Sequence, residues 1–297
     1  MVFARAKGAV ASSKLILTGG LVINSVVLQR FLLTFRANRI NMEVSESRTR
    51  FKEEIIMEIR IFETAQEASK VGAKLIADVI KSQSATVLGL ATGSTPVGMY
   101  QEWARMNAAG ELSFETVSSY NLDEYIGLDG THDQSYRYFM NKNLFDHVNI
   151  DKARTHVPCG NGADHDADAR EYDKMIEAAG GIDVQVLGIG NNGHIGFNEP
   201  GDVFYMGTHV VNLTDSTIDA NKRFFAHRED VPKQAITLGM GGIMRAKKVV
   251  LLAFGENKAD AVRAMVHGDI DPKCQASILK VHGDVVVLLD KAAASKL

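Results

Sequence analysis

Cysteine, proline and tryptophan are scarce in this chain. Its 297 residues include two cysteines, five prolines and one tryptophan. Cys159 and Cys274 lie in no CxxC or Cys/His cluster. They exclude a disulfide framework and a zinc site, and they fit a reducing compartment such as the cytoplasm. Few prolines beside 26 glycines exclude a proline-rich linker or low-complexity tract. No internal repeat is visible, and no metal-ligand set or dinucleotide-binding fingerprint is read. Positive charge is short over most of the chain. Residues 1–56 hold nine Lys/Arg and four Asp/Glu, leaving 24 and 32 to the remainder of a chain whose net charge is −3. So acidic a body excludes a general nucleic-acid binder. What is plentiful is apolar: 45% of residues are hydrophobic, enough for one large α/β domain or two small ones.

Residues 1–56 read as an extension foreign to the fold, and residues 57–297 as the functional domain. Leu15–Phe35 is apolar, but Asn24, Gln29 and Arg30 interrupt it, and a central Arg costs ~2.5–3.5 kcal/mol on membrane insertion. No membrane span is expected, and no good signal-peptide cleavage site follows. The lack of acids before Glu43 leaves a transit peptide as one alternative, and the terminal Ser295-Lys296-Leu297 matches a peroxisomal tripeptide. Lys52-Glu53-Glu54 can be encoded as a purine run two codons before Met57, resembling a bacterial ribosome-binding site, so Met57 is read as the true start and the preceding residues as untranslated leader read as protein.

From Met57 the pattern is regular. MEIRIF is a short alternating strand, and Thr64 with Glu67 forms a capping box opening a helix. That helix places Ala68, Val71, Leu75, Ile76 and Val79 on one face. Apolar strands are expected at 85–92, 116–122, 182–190, 248–255 and 284–290. Helices are expected after TGSTP and over 136–148, 167–179 and 257–266. Continuous apolar strands alternating with helices predict an α/β sandwich with a mainly parallel sheet flanked by helices. In such sheets ligands sit outside the carboxyl ends of the strands.

Four strand ends carry polar groups. Gly93, Ser94 and Thr95, before Pro96 and a helix, can cradle an anion with backbone N–H groups and the helix dipole. An ordinary capped turn would read the same way. Asp123 and Glu124 follow a buried strand; side chains alternate there, so only one need face a site, and a solvated turn is the plainer alternative. The glycine-rich run 188–200 holds Asn192, His194, Asn198 and Glu199. A histidine with a carboxylate in reach keeps one tautomer and can shuttle protons near neutral pH. Lys258 opens a helix, and Arg223 in NKRFF supplies a second candidate cation. Each cation is more often a surface charge, but an acidic protein that binds an anion needs local cations. Together these groups suit proton transfer on a small phosphorylated molecule.

The motifs LGLATGSTP, NLDEYIGL, SYRYFM, GIGNNGHIGFNEPG, NKRFF and ENKADAV occur in that order. Over Met57 to about Asp290 the chain resembles the glucosamine-6-phosphate deaminase family, and NxDEY with GHIxFNEP is the discriminating pair. The resemblance implies a Rossmann-like sandwich shared with 6-phosphogluconolactonase. It implies release of ammonia from glucosamine 6-phosphate to give fructose 6-phosphate, with no metal or redox cofactor. Asp123 would carry the proton between C2 and C1, and His194 would open the ring with Glu199 as its partner. Asn192 falls where some members have Asp. Gly93, Ser94, Thr95, Arg223 and Lys258 would hold the phosphate. The alternatives are another sugar-phosphate enzyme of the same fold, a lactonase or isomerase, or a non-catalytic sugar-phosphate sensor. Homo-oligomerisation is left open. Some members are activated by N-acetylglucosamine 6-phosphate through an Arg-x-Lys pair. This chain has His209-Val210-Val211 at that place, so no such activation is expected.

Overall fold

The computed structural model describes residues 57–222, 225 and 227–297. The readings made on residues 1–56 and on Arg223 lie outside the described residues.

The chain opens with β1 (Met57–Phe62), followed by α1 (Ala65–Ser82). Thr64 Oγ1 accepts the Glu67 N–H at 3.2 Å, as the capping box predicts. The reciprocal arm differs: Glu67 Oε2 accepts from the N–H of Glu63, not of Thr64. The buried face of α1 carries Ala68, Ala73, Ile76, Ala77 and Ile80, while Val71, Leu75 and Val79 pack at its margin. The expected face is thus rotated. Alanines let the helix approach the sheet closely, and the bulkier side chains lean on the edge of the contact.

Then come β2 (Thr86–Leu90), α2 (Val97–Ala108), β3 (Val117–Asn121), β4 (Asp123–Tyr125) and α3 (Tyr136–Met140). The helix expected over 136–148 is α3 followed by a π-helical turn, Asn141–Phe145. After β5 (Thr155–His156) come α4 (His165–Ala178), β6 (Val184–Leu187), β7 (His209–Asn212), α5 (Asp215–Asn221) and β8 (Gln234–Thr237). The domain closes with α6 (Met240–Met244), β9 (Lys248–Ala253), a 3-10 turn (Glu256–Lys258), α7 (Ala259–His267) and β10 (Val285–Asp290).

Seven strands form one parallel sheet in the order β1-β10-β9-β6-β2-β3-β5. The expected α/β sandwich is therefore observed. Its core is aliphatic, and Val249, Val250, Leu251 and Leu252 of β9 are fully buried, as befits a strand covered on both faces. Buried Trp103 of α2 donates Nε1–H to Ala73 O of α1 at 3.0 Å. Tyr100 donates its hydroxyl to Ala91 O at 2.6 Å, tying α2 to the carboxyl end of β2. From β2 the chain steps to β3 on one side, whereas β6 leads to β9 on the other. The crevice between β2 and β6 is the switch point of the sheet.

A second sheet was not foreseen. β4, β8 and β7 pair antiparallel, with Asp123 opposite Thr237 and Thr237 opposite His209. Its strands are three or four residues long, too short for periodicity to register.

Candidate active site

A cavity of ≈ 530 Å³ opens at the switch point. Residues 91–95, Asp123, Tyr136, residues 188–192, His194, Gly196, Phe197, Thr217 and Lys258 contribute to its wall.

The carboxyl end of β2 forms its floor. Gly93 has φ of 92°, a left-handed conformation that glycine adopts without strain. No atom lies within 4 Å of where its Cβ would be, so the backbone faces open space. Pro96 stands at the N-cap of α2, which has no side-chain cap. The first N–H groups of a helix lack intrahelical partners, and the proline at this N-cap brings no side-chain acceptor to them. Gly93, Ser94 and Thr95 therefore present backbone and hydroxyl donors together at the positive end of a 12-residue helix.

The two adjacent acids divide as strand geometry requires. Asp123 lines the cavity and is 6% exposed. Burial, aided by the nearby charge of Glu124, pushes its carboxyl up to about 8. Glu124 turns away and accepts the N–H groups of Tyr125 (2.9 Å), Tyr136 (2.8 Å) and Arg137 (2.9 Å). It caps α3 at its start and thereby sets Tyr136 against the cavity. The Tyr136 ring stacks on Phe197, with centroids 5.9 Å apart.

Residues 188–200 form a tight loop after β6. Gly190 N–H donates to His194 O at 2.8 Å, and His194 N–H donates to Asn192 Oδ1 at 3.2 Å. The His194 ring lies over Gly190, where a Cβ would stand 2.2 Å from Cε1. Asn192 Nδ2 donates to Glu199 Oε2 at 2.9 Å, and His194 Nδ1 is 3.5 Å from the same oxygen. That separation is longer than a typical hydrogen bond. Burial tends to raise the Glu199 carboxyl. His194, Thr217 and Asn192 outweigh it and hold the group down at about 2. Glu199 is thus a fixed anion beside the imidazole. Gly188, Gly190 and Gly193 follow the spacing of a dinucleotide-binding fingerprint, which corrects the expectation that the chain has none. The run opens no helix, however; it closes on His194, so the glycines serve the ring and not a pyrophosphate.

Lys258 ends the 3-10 turn after β9 and lines the cavity. Asn257 Nδ2 donates to Asn191 Oδ1 at 3.2 Å, joining this turn to the histidine loop. Gly93, Ser94, Thr95, Asp123, Asn192, His194 and Lys258 therefore all line one cavity, with Glu199 behind the histidine. Tyr136 and Thr217 are among the lining residues that were not anticipated. SYRYFM was visible in the sequence, but nothing in its spacing points Tyr136 inward. Thr217 lies on a seven-residue helix whose start is marked only by the Thr214 cap. Among the described residues, no helix is long and apolar enough to cross a membrane, and no group of three or more His, Cys, Asp or Glu is placed to hold a metal ion.

An anion cradle and a buried acid at the switch point of a parallel sheet are the marks of an α/β enzyme acting on phosphorylated metabolites. The chain belongs to the family of glucosamine-6-phosphate isomerases and 6-phosphogluconolactonases, which matches residues 62–287. It is 53% identical to the glucosamine-6-phosphate deaminase of Clostridium perfringens (strain 13 / Type A) over 241 residues, 81% of this chain and 100% of that protein. To the deaminase of Shewanella loihica it is 54% identical over 241 residues, 81% of this chain and 90% of that one. A solved structure of a monomeric glucosamine-6-phosphate deaminase superposes with a TM-score of 0.80 at 43% identity, covering 81% of this chain and 100% of that one. The 6-phosphogluconolactonase of Leishmania guyanensis shares the fold, with a TM-score of 0.63 at 22% identity over 80% of this chain and 97% of that one.

Proposed function

We propose that the chain converts glucosamine 6-phosphate and water to fructose 6-phosphate and ammonia, and that residues 57–297 carry the activity. The family match over residues 62–287 and the identity to deaminases support this reading. Asp123 is the observation that carries it. A carboxyl raised to about 8 by burial is matched to general-base work near neutral pH, whereas an ordinary carboxylate is too weak.

The cradle of Gly93, Ser94 and Thr95, with Lys258 and Arg223, holds the phosphate. His194, oriented by Glu199 and Asn192, passes a proton to the ring oxygen as the sugar opens. Asp123 takes the proton from C2 of the open aldehyde, leaving a C1–C2 enolamine, and returns it to C1. The nitrogen on C2 is then an imine. Water adds to C2, the C–N bond breaks, and ammonia leaves behind a C2 ketone. Two free thiols, Cys159 and Cys274, suit the cytoplasm as the place of work.

The test is a coupled assay of ammonia and fructose 6-phosphate from glucosamine 6-phosphate. Equal release of both is expected. Hydrolysis of 6-phosphogluconolactone without ammonia release would replace this reading by the lactonase, and tight binding of the sugar phosphate without turnover would replace it by a sensor.

A further inference from the structure

The two oxygens of Glu199 face two different parts of the fold. Oε2 faces the histidine loop, where Asn192 Nδ2 donates at 2.9 Å and His194 Nδ1 lies at 3.5 Å. Oε1 faces α5, where Thr217 Oγ1 donates to it and Thr214 Oγ1 stands 3.4 Å away. Thr217 is 5% exposed. Its hydroxyl sits in a short relay: the Thr217 N–H donates to Thr214 Oγ1 at 3.3 Å, Thr214 Oγ1 donates to Thr217 Oγ1 at 3.1 Å, and Thr217 donates on to Glu199. Hydrogen bonds in such a chain polarise one another. The start of α5 thus sets the direction of the last bond.

The terminal torsion of a glutamate is broad and roughly twofold, so contacts on one oxygen leave the carboxylate free to turn. Holding the second oxygen removes that freedom. We propose that Thr217 is a positioning residue for the proton-shuttling pair. By holding Oε1 it fixes Oε2 beside His194 Nδ1, keeps the proton of the neutral ring on Nδ1, and leaves Nε2 as the working nitrogen. The proposal rests on the reading of His194 as the ring-opening group. Neither the local sequence nor the spacing to Glu199 marks Thr217 for this work, because the pairing is made between the histidine loop and α5.

Valine has the shape of threonine without the hydroxyl, and serine keeps the hydroxyl. The test compares T217V and T217S in the full chain by two readouts, the 15N signals of the His194 ring without substrate and the kinetics with glucosamine 6-phosphate. T217V should lose the Nδ1-protonated signature and about tenfold or more in kcat, with KM within about twofold. T217S should keep the signature and a kcat within about threefold of wild type. The proposal is overturned if T217V keeps wild-type ring signals, or if T217S fails as T217V does. Absence of ammonia release from the wild-type chain would sink the functional reading instead, and the ring signals would still decide the role of Thr217.

Discussion

Gly190 lies directly beneath the ring of His194: a Cβ there would come within 2.2 Å of Cε1 and 2.3 Å of Nδ1. Real Cβ atoms do not approach ring atoms so closely, so a side chain at position 190 must push the imidazole away. G190A should therefore displace His194 while leaving β6 and the sheet intact. We expect kcat to fall about a hundredfold, in the range of a lost general acid–base group, with little change in the far-ultraviolet circular dichroism. Wild-type turnover in G190A would show that the ring position does not matter.

Asp123 links activity to pH and to stability. As the base it must be ionised, so kcat/KM should rise with pH through about 8 and flatten above. D123N cannot accept the proton and should turn over less than about a hundredth as fast, with KM little changed. The stability effect has the opposite sense. The folded-state pKa of Asp123 is raised, so folding favours the protonated form, and ionisation destabilises the fold as pH rises from about 4 to about 8. D123N should gain melting temperature over the wild type at pH 8 and gain little at pH 4. Equal gains at both pH values would mean that the buried charge is not the cause.

The cradle makes a different kinetic prediction. K258A and R223A should raise KM for glucosamine 6-phosphate about tenfold or more and lower kcat less, since a charge-assisted contact is worth roughly 1.5–3 kcal/mol. A KM within about twofold of wild type for both variants would move the phosphate elsewhere.

Val210 and Val211 lie on β7, and His209 bonds through Nδ1 to Gly207 O at 2.9 Å. No Arg-x-Lys pair stands in this stretch. Rate curves should be hyperbolic and unchanged by N-acetylglucosamine 6-phosphate. A sigmoidal curve that this compound straightens would refute the expectation.

We further expect that a chain beginning at Met57 matches the full chain in solubility and kcat. Loss of activity on removing residues 1–56 would assign them a part in the enzyme, and the intact mass of the native protein tests whether they precede Met57 at all.

Six of the seven parallel strands were legible, most of them as apolar runs, whereas the two-residue β5 at the sheet edge was too short to register; the four strand ends were legible because polar residues interrupt those runs abruptly. Asp123 and His194 could be found that way. The choice between Asp123 and Glu124 could not, since strand alternation says that one faces inward but not which; the backbone of Tyr136 and Arg137 decides it by claiming Glu124. The antiparallel strands β4, β7 and β8 were missed because their pairing is made by tertiary contact and not by local pattern. Thr217 was missed for the same reason.

Met57 of β1 lies in register with Val285 of β10, so the first described strand is laid down beside the last. More than two hundred residues separate these partners, and the entropy of closing so long a loop grows only by about 0.6 kcal/mol per doubling. The penalty falls mainly on speed, because non-local pairings slow folding. During synthesis β1 precedes the other described strands and must wait for β10, its one partner among the described residues. Until then its edge and the unpaired edge of the growing sheet stay open to other chains. The sheet order thus sets how long that edge stays open during synthesis.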